Sequence, residues 1–295
     1  MTQPRATDLS LHDAECATLA RPIGSGFRYA CLPLTSTRLG AVTAWRALDL
    51  TLRQITEQIA EPQVARSKLD WWRGALDEAL NRQHASHPIL HALRAHSRPE
   101  QLTALIEPIE ARLGAAWLAL DYQGFATAAD RNAYLAADGG ALWQGFAILL
   151  DAPAEQHSAF RALGAASQRL DQLQYLGRAL ARGVFVLPAS ALAARGLADT
   201  DWLRPGDQPA LDAVLTAEWD ELLAQYRHAH AALAQHTRRP AGFFRALLAQ
   251  DRARLRLLAP RILRLRAERP ELSPFTLLTT AWWANKRPLP REIRL

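Results

Sequence analysis

The chain has 295 residues, 49% of them hydrophobic, and a formal charge of +6 from 35 lysines and arginines, nearly all arginine. That length can bury a large core in one or two domains, and two cysteines are too few for a disulfide framework. No window approaches the roughly 18 apolar residues that span a membrane, and the polar start MTQPRATDLSLHDAE lacks a signal peptide's apolar core, so a cytoplasmic protein is expected. The arginine excess has two readings: a habit of GC-rich coding, or attraction to an anionic lipid surface, diphosphate or nucleic acid.

Helical periodicity dominates, predicting an all-α protein of about ten helices. VFVL at 184–187 is the best strand candidate, and Gly24-Ser25-Gly26, Asp138-Gly139-Gly140, Asp151-Ala152-Pro153 and Arg204-Pro205-Gly206-Asp207 mark loops. Residues 38–63 read as a long helix with Val42, Trp45, Leu48, Leu52, Ile55 and Ile59 on one stripe. Asp49 and Arg53 lie four apart and can pair, either on a solvated face or in a cavity wall. In 61–80, Trp71 and Trp72 read as core and interface aromatics, with an Arg73–Asp77 helix pair beside them. His84, His87, His91 and His96 have spacings that could gather imidazoles for a metal. Pro88 interrupts them and no acid or thiol set accompanies them, so a loop and helix start is expected.

Residues 101–150 read as a helical pair whose Gly139-Gly140 makes no phosphate loop, since no strand or Lys-Ser/Thr accompanies it. Gly164–Pro188 reads as a helix with small residues on one side, ending at Gly183 before an apolar run stopped by Pro188. A surface loop is expected at 198–209 and a helix at 210–237, with His228, His230 and His236 at the surface. From Arg238 to Arg269 there are ten arginines and two acids, in a basic amphipathic helix that Pro260 should kink or split. Phe275, Trp282 and Trp283 precede Lys286-Arg287, an aromatic-basic end able either to touch a bilayer interface or to pack back on the body. No recognised nucleic-acid motif accompanies the charge.

Several of these segments, spread over about residues 20–287, resemble the squalene/phytoene synthase superfamily. Gly24-Ser25-Gly26-Phe27 stands where the family has Ser-x-Ser-Phe, Leu32-Pro33 follows, and Arg46 and Asp49 match the first acidic helix motif. Asp121, Tyr122, Phe125 and Tyr134 follow the next layout loosely, and Gly139, Gly140 and Gly145 fit its small-residue helix contact. Gly164, Ala166, Gln168 and Leu187-Pro188 keep the frame of the second acidic helix. The segment Glu-Pro-Gln with Trp71, Trp72, Arg73 and Asp77 is more similar to a degenerate branch, that of the mitochondrial complex I assembly factor with a phytoene-synthase-like domain. The resemblance implies an all-α, single-domain helical bundle of the isoprenoid (terpenoid) synthase type with a central cavity. That domain would span 21–287, between an N-terminal extension at 1–20 and a tail at 288–295.

What the resemblance implies about chemistry is divided. Active members ionise a prenyl diphosphate whose leaving group is clamped by Mg²⁺, a hard ion that wants carboxylate oxygens. Here Leu50 and Arg53 stand in for acids of the first motif. Asp171 falls at the family's Asn, Arg178 at its Glu, and Tyr175 and Ala179 at its metal-binding Asp places. The expected function is therefore a catalytically inactive binding or assembly factor near a membrane-associated, respiratory complex, without cofactor and peripheral to the inner membrane. One alternative is a prenyltransferase with an altered Mg²⁺ site; a second is a protein that binds a prenyl or lipid diphosphate through Arg46, Arg53 and Arg178 without metal. The candidate cavity residues are Arg46, Asp49, Arg53, Gln168, Asp171, Tyr175 and Arg178, with Asp49–Arg53 and Asp171–Arg178 as internal pairs if no ligand binds. The expected partners are a protein at such a complex, a prenyl diphosphate or a lipid, but not nucleic acid.

Overall fold

Apolar residues at spacings of three and four run through almost every segment, and helices follow wherever they do. The structure, a computed structural model, describes residues 6–82, 84–121, 124–203, 208–237 and 239–290. The helices of the first half are α1 (Ala6–Ala20), α2 (Gly26–Ala30), α3 (Ser36–Gln58), α4 (Pro62–Asn81), α5 (Pro88–His96), α6 (Pro99–Ala104), α7 (Ile106–Asp121), α8 (Ala128–Leu135) and α9 (Ala141–Leu149). Those of the second half are α10 (His157–Gln174), α11 (Leu176–Ala181), α12 (Ala189–Ala193), α13 (Pro209–His236), α14 (Gly242–Leu258) and α15 (Pro274–Lys286). Five of these begin on proline, whose missing N–H and fixed φ suit the first helical turn. Among the described residues, fifteen helices replace the expected ten or so, because several long periodic segments are broken.

The expected stripe of α3 is buried at Val42, Trp45, Leu48, Leu52 and Ile55, whereas Ile59 is half-buried one residue past the helix end, and the helix packs on α1, α5, α7 and α9. Trp45 is 1% exposed and donates Nε1–H to the Leu142 carbonyl at 2.9 Å, so it is fixed in the core rather than filling the space beyond. Truncating a side chain such as Leu48 to Ala should cost about 2–5 kcal/mol.

Opposite α3, α10 packs on α9 and α13. Asp138-Gly139-Gly140 is no loop: Ala136–Gly140 is a π-helical turn joining α8 to α9. Its reason is close packing, since a Cβ at Gly139 would strike the Gly164 carbonyl and one at Gly164 would strike Gly139. The small-residue side of the 164–183 segment is thus a helix contact. That segment is not one helix either, since α10 stops at Tyr175 before α11 resumes. Gly183, at φ +72°, turns the chain into strand β2 (Phe185–Pro188). The apolar VFVL run is a strand because it finds a partner, pairing parallel with β1 (Gly124–Phe125).

On the remaining side α14, α15 and α2 pack together. Pro260 ends α14 as expected, with a 3₁₀ stretch at Ala259–Arg264. His230 corrects the expected surface position: it is 2% exposed, and burial, then Arg252, lower its pKa to about 4. Arg73 pairs with Asp70, not Asp77, and its guanidinium lies over Trp117. His87 caps α5 through Nδ1 and His91 stacks on His12, and no group of three or more metal-type ligands exists among the described residues. Tyr122 and residues 204–207 lie outside the described residues. No helix among the described residues is long and apolar enough to cross a membrane.

Candidate functional site

Two cavities adjoin where α3 faces α10, one extending toward the two strands and the other toward α2, α9, α14 and α15. One, of about 390 Å³, is lined by Arg46, Arg53, Gln168, Asp171, Tyr175 and Arg178 among others, which is six of the seven residues singled out from sequence. The second, of about 520 Å³, shares Arg46, Gln168, Asp171 and Tyr175 with the first, so these four stand at the junction. Its apolar wall includes Phe27, Trp143, Phe146 and Leu277, whereas Phe125, Phe185 and Val186 of the strands give the first cavity its apolar side.

The seventh residue, Asp49, lies beneath the cavity floor at 2% exposure. The solvated-face reading of Asp49–Arg53 is therefore wrong. The Asp49 carboxylate accepts from Arg46 at 2.6 Å, from Arg53 at 3.3 Å and meets Arg112 at 2.7 Å. Burial pushes its pKa up, but Arg53, Arg112 and Arg46 outweigh this and hold it at about 2. Asp138, on the π-helical turn, is held by Arg53 at 2.9 Å and by Arg112. Arg53 also donates to Gln168 Oε1 at 3.0 Å. Burial disfavours the Arg53 charge, yet Asp138 and Asp49 raise its pKa well above the ordinary arginine value. Burial, then the Asp138 charge, push the Tyr134 phenol up as well.

Asp171 does not pair with Arg178 as expected. Its partner is Arg254 of α14, which also binds Asp251 at 3.1 Å and Gln174 Oε1 at 2.8 Å. The reason is direction: Arg178 follows the break at Tyr175, and its side chain lines the first cavity from an exposed position. Tyr175 is covered by the Arg269 guanidinium, 4.8 Å from its ring centre. Asp251 has a pKa raised to about 6 by burial, with Arg254 opposing and Asp171 adding to the rise.

Arg112, Asp138 and Arg254 were missed from sequence. A signal existed for the first two. Arg112 shares a buried stripe with Ile109, Leu113 and Ala116, and Asp138 one with Leu135 and Leu142; a lone charge on an apolar stripe needs a buried counter-charge.

Whether these residues suit Mg²⁺ follows from the acceptor oxygens. Mg²⁺ demands a near-octahedral shell of oxygens, but Asp49 is held by three guanidiniums, Asp138 by two, and Asp171 by Arg254. The second acidic pair is replaced by Tyr175 and Ala179. The residues present do not fit a Mg²⁺ clamp. What they offer is guanidinium: Arg46, Arg53, Arg178 and Arg182 line the first cavity against only Glu57 and Asp171.

An all-α bundle closing on a central cavity, with the arginine and acid of one helix facing a small-residue helix, defines the isoprenoid synthase class. A model of the family described as squalene/phytoene synthase matches residues 20–276, and the chain belongs to that family. No curated protein matches it. Among solved structures, a dehydrosqualene synthase in complex with ligand is similar at 15% identity and a TM-score of 0.74, over 95% of this chain and 97% of that one. The squalene synthase HpnC from Alicyclobacillus acidocaldarius is similar at 16% identity and a TM-score of 0.62, over 96% and 97% of the two chains. At such identities the likeness concerns the fold.

Proposed function

We propose that this chain is a non-catalytic member of its family that binds a phosphorylated isoprenoid or similar anionic amphiphile directly through arginine, without Mg²⁺. One observation carries the reading: every carboxylate at the junction is held by guanidinium, while a cavity of about 390 Å³ lined by four arginines stays open. A guanidinium presents paired N–H donors that match phosphate oxygens and needs no metal bridge. The apolar surfaces of Phe125, Phe185 and Val186 give a hydrocarbon chain a place beside that charge.

Isothermal titration with farnesyl diphosphate tests it. Binding should persist in excess chelator and weaken about tenfold in Arg178→Ala, the loss expected for one charge-assisted contact; no binding would remove the reading. Incubation of labelled farnesyl diphosphate with Mg²⁺ tests the prenyltransferase alternative. Diphosphate release that Asp49→Asn abolishes would establish catalysis and overturn the proposal.

The assembly-factor reading has one observation in its favour. Trp71, in the segment that resembles that branch, is 48% exposed and packs edge-on against buried Trp72. Large exposed aromatics of this kind anchor protein interfaces. Loss of a co-purifying partner in Trp71→Ala, with unchanged farnesyl diphosphate affinity, would support a second, separate surface.

A further inference from the structure

Twelve large hydrophobic side chains are exposed among the described residues, and five of them fall on one face: Ile23, Leu32, Phe275, Trp282 and Trp283. Their exposures run from 48% at Trp282 to 92% at Ile23. On α15 the positions Phe275, Thr279, Trp282 and Lys286 recur at helical spacing and form an outward stripe, with Trp283 beside it. Ala281 on the opposite side is fully buried. The Gly24 turn packs on Pro274, which sets Ile23 against the start of α15. Pro33 and Asn285 both abut Gly242, which sets Leu32 near its end. Arg245 fastens that end by donating to the carbonyls of Asn285 and Arg287.

The charge on this face has one sign. Segments 21–35, 239–250 and 272–290, which compose it, hold six basic residues and no acidic one, and the acids that adjoin them are paired, Glu271 with Arg269 and buried Asp251 with Arg254. Two of the bases sit on the exposed indoles: Lys286 Nζ is 4.0 Å from the Trp282 ring centre and the Arg287 guanidinium 5.2 Å from that of Trp283. Indoles that are apolar at one end and wet at the other, next to cations on long stems, match the boundary between acyl chains and phosphates. A second copy of this chain is a poor occupant, because a two-fold contact would set like charges against each other.

We infer that this face docks the protein on an anionic phospholipid bilayer, with Phe275, Trp282 and Trp283 entering the headgroup boundary and Arg28, Lys286 and Arg287 meeting lipid phosphates. The helices that present it also wall the larger cavity from inside, through Phe27 of α2 and Leu277 of α15. Docking therefore brings that cavity next to the membrane. The inference stands independently of the ligand reading, since it uses none of the cavity arginines.

Vesicle flotation tests it, with phosphatidylcholine vesicles compared with vesicles that also contain phosphatidylglycerol. The protein should float with the anionic vesicles and not the neutral ones, and binding should fade as salt rises. The double variant Lys286→Glu/Arg287→Glu should weaken binding at least about tenfold, since it reverses the charge of two basic lipid contacts. Phe275→Ser, at a side chain 73% exposed, should weaken it without altering the melting temperature. Absence of flotation with anionic vesicles, or flotation unchanged by all these variants, overturns the inference. So does a concentration-dependent dimer in sedimentation velocity that Phe275→Ser dissolves.

Discussion

Gln168 and Arg169 are neighbours on α10, yet they reach into two ion clusters of different design. Gln168 joins Arg46, Arg53, Arg112, Asp49 and Asp138, where three guanidiniums meet two carboxylates. Arg169 joins Arg131, Glu218 and Glu221, where the charges balance: Glu218 is 2.5 Å from Arg169 and 2.7 Å from Arg131, and Glu221 is 2.8 Å from Arg169. The balanced cluster buries both arginine side chains at 1% exposure and opens to solvent only through Glu221. The other keeps a surplus positive charge and leaves Arg46 and Arg53 28% and 23% exposed, where they line the cavity. A buried charge needs a partner; one left over beside an open cavity is available to a ligand. The balanced cluster clamps α8, α10 and α13 together, and the Asp49 cluster has both a structural and a binding capacity.

The comparison breaks first at Glu218. Glu218→Ala leaves two buried guanidiniums to share the half-exposed Glu221 and should cost about 3–5 kcal/mol in urea denaturation, while the affinity of the folded fraction for farnesyl diphosphate stays the same. A fall in that affinity would erase the distinction between the clusters.

Asp49→Asn should cost less, about 2 kcal/mol at neutral pH, because the amide oxygen still accepts one of the arginine bonds. Farnesyl diphosphate affinity should rise, since the cavity floor loses a negative charge. The pH dependence has a definite sign. Asp49 titrates near 2 in the folded protein, below its unfolded value of about 4, so its contribution is present above pH ~4 and lost as pH falls toward ~2. The stability difference between wild type and Asp49→Asn should shrink over that window.

Arg178→Ala sharpens the contrast in the other direction. Its exposed side chain should contribute less than about 0.5 kcal/mol to stability, although farnesyl diphosphate affinity falls about tenfold. Gln168→Leu, which removes one acceptor of Arg53, should cost about 1 kcal/mol of stability, less than the tenfold affinity loss at Arg178 is worth, against several for Arg169→Leu next to it.

Much of the fold was legible because its signals are local. The α3 stripe, the proline starts and the stop at Pro260 all depend on residues a turn or two apart. The Gly164, Ala166 and Gln168 frame was legible too, and so was the replacement of acids by Tyr175 and Ala179. The site was legible as a set of lining residues and illegible as a set of bonds. Asp171 looked like the partner of Arg178 because they stand at positions i and i+7 of one expected helix, but the break at Tyr175 turns Arg178 away and Arg254 arrives from α14. His230 looked polar and external, although it shares the buried side of α13 with Tyr226 and Leu233.

The sequence by itself determined that the chain is helical, that it follows the squalene/phytoene synthase frame, and that carboxylates are absent from the second acidic motif. Those properties reside in periodicity and in residue identity at fixed spacing. Only the tertiary structure decided that Arg112 and Asp138 complete the Asp49 cluster, that Arg254 takes Asp171, and that a cavity lined by arginine remains open. Ion pairs between distant segments depend on which helices meet and at what height, and the Gly139–Gly164 contact, where a Cβ would collide with the facing carbonyl, sets that approach.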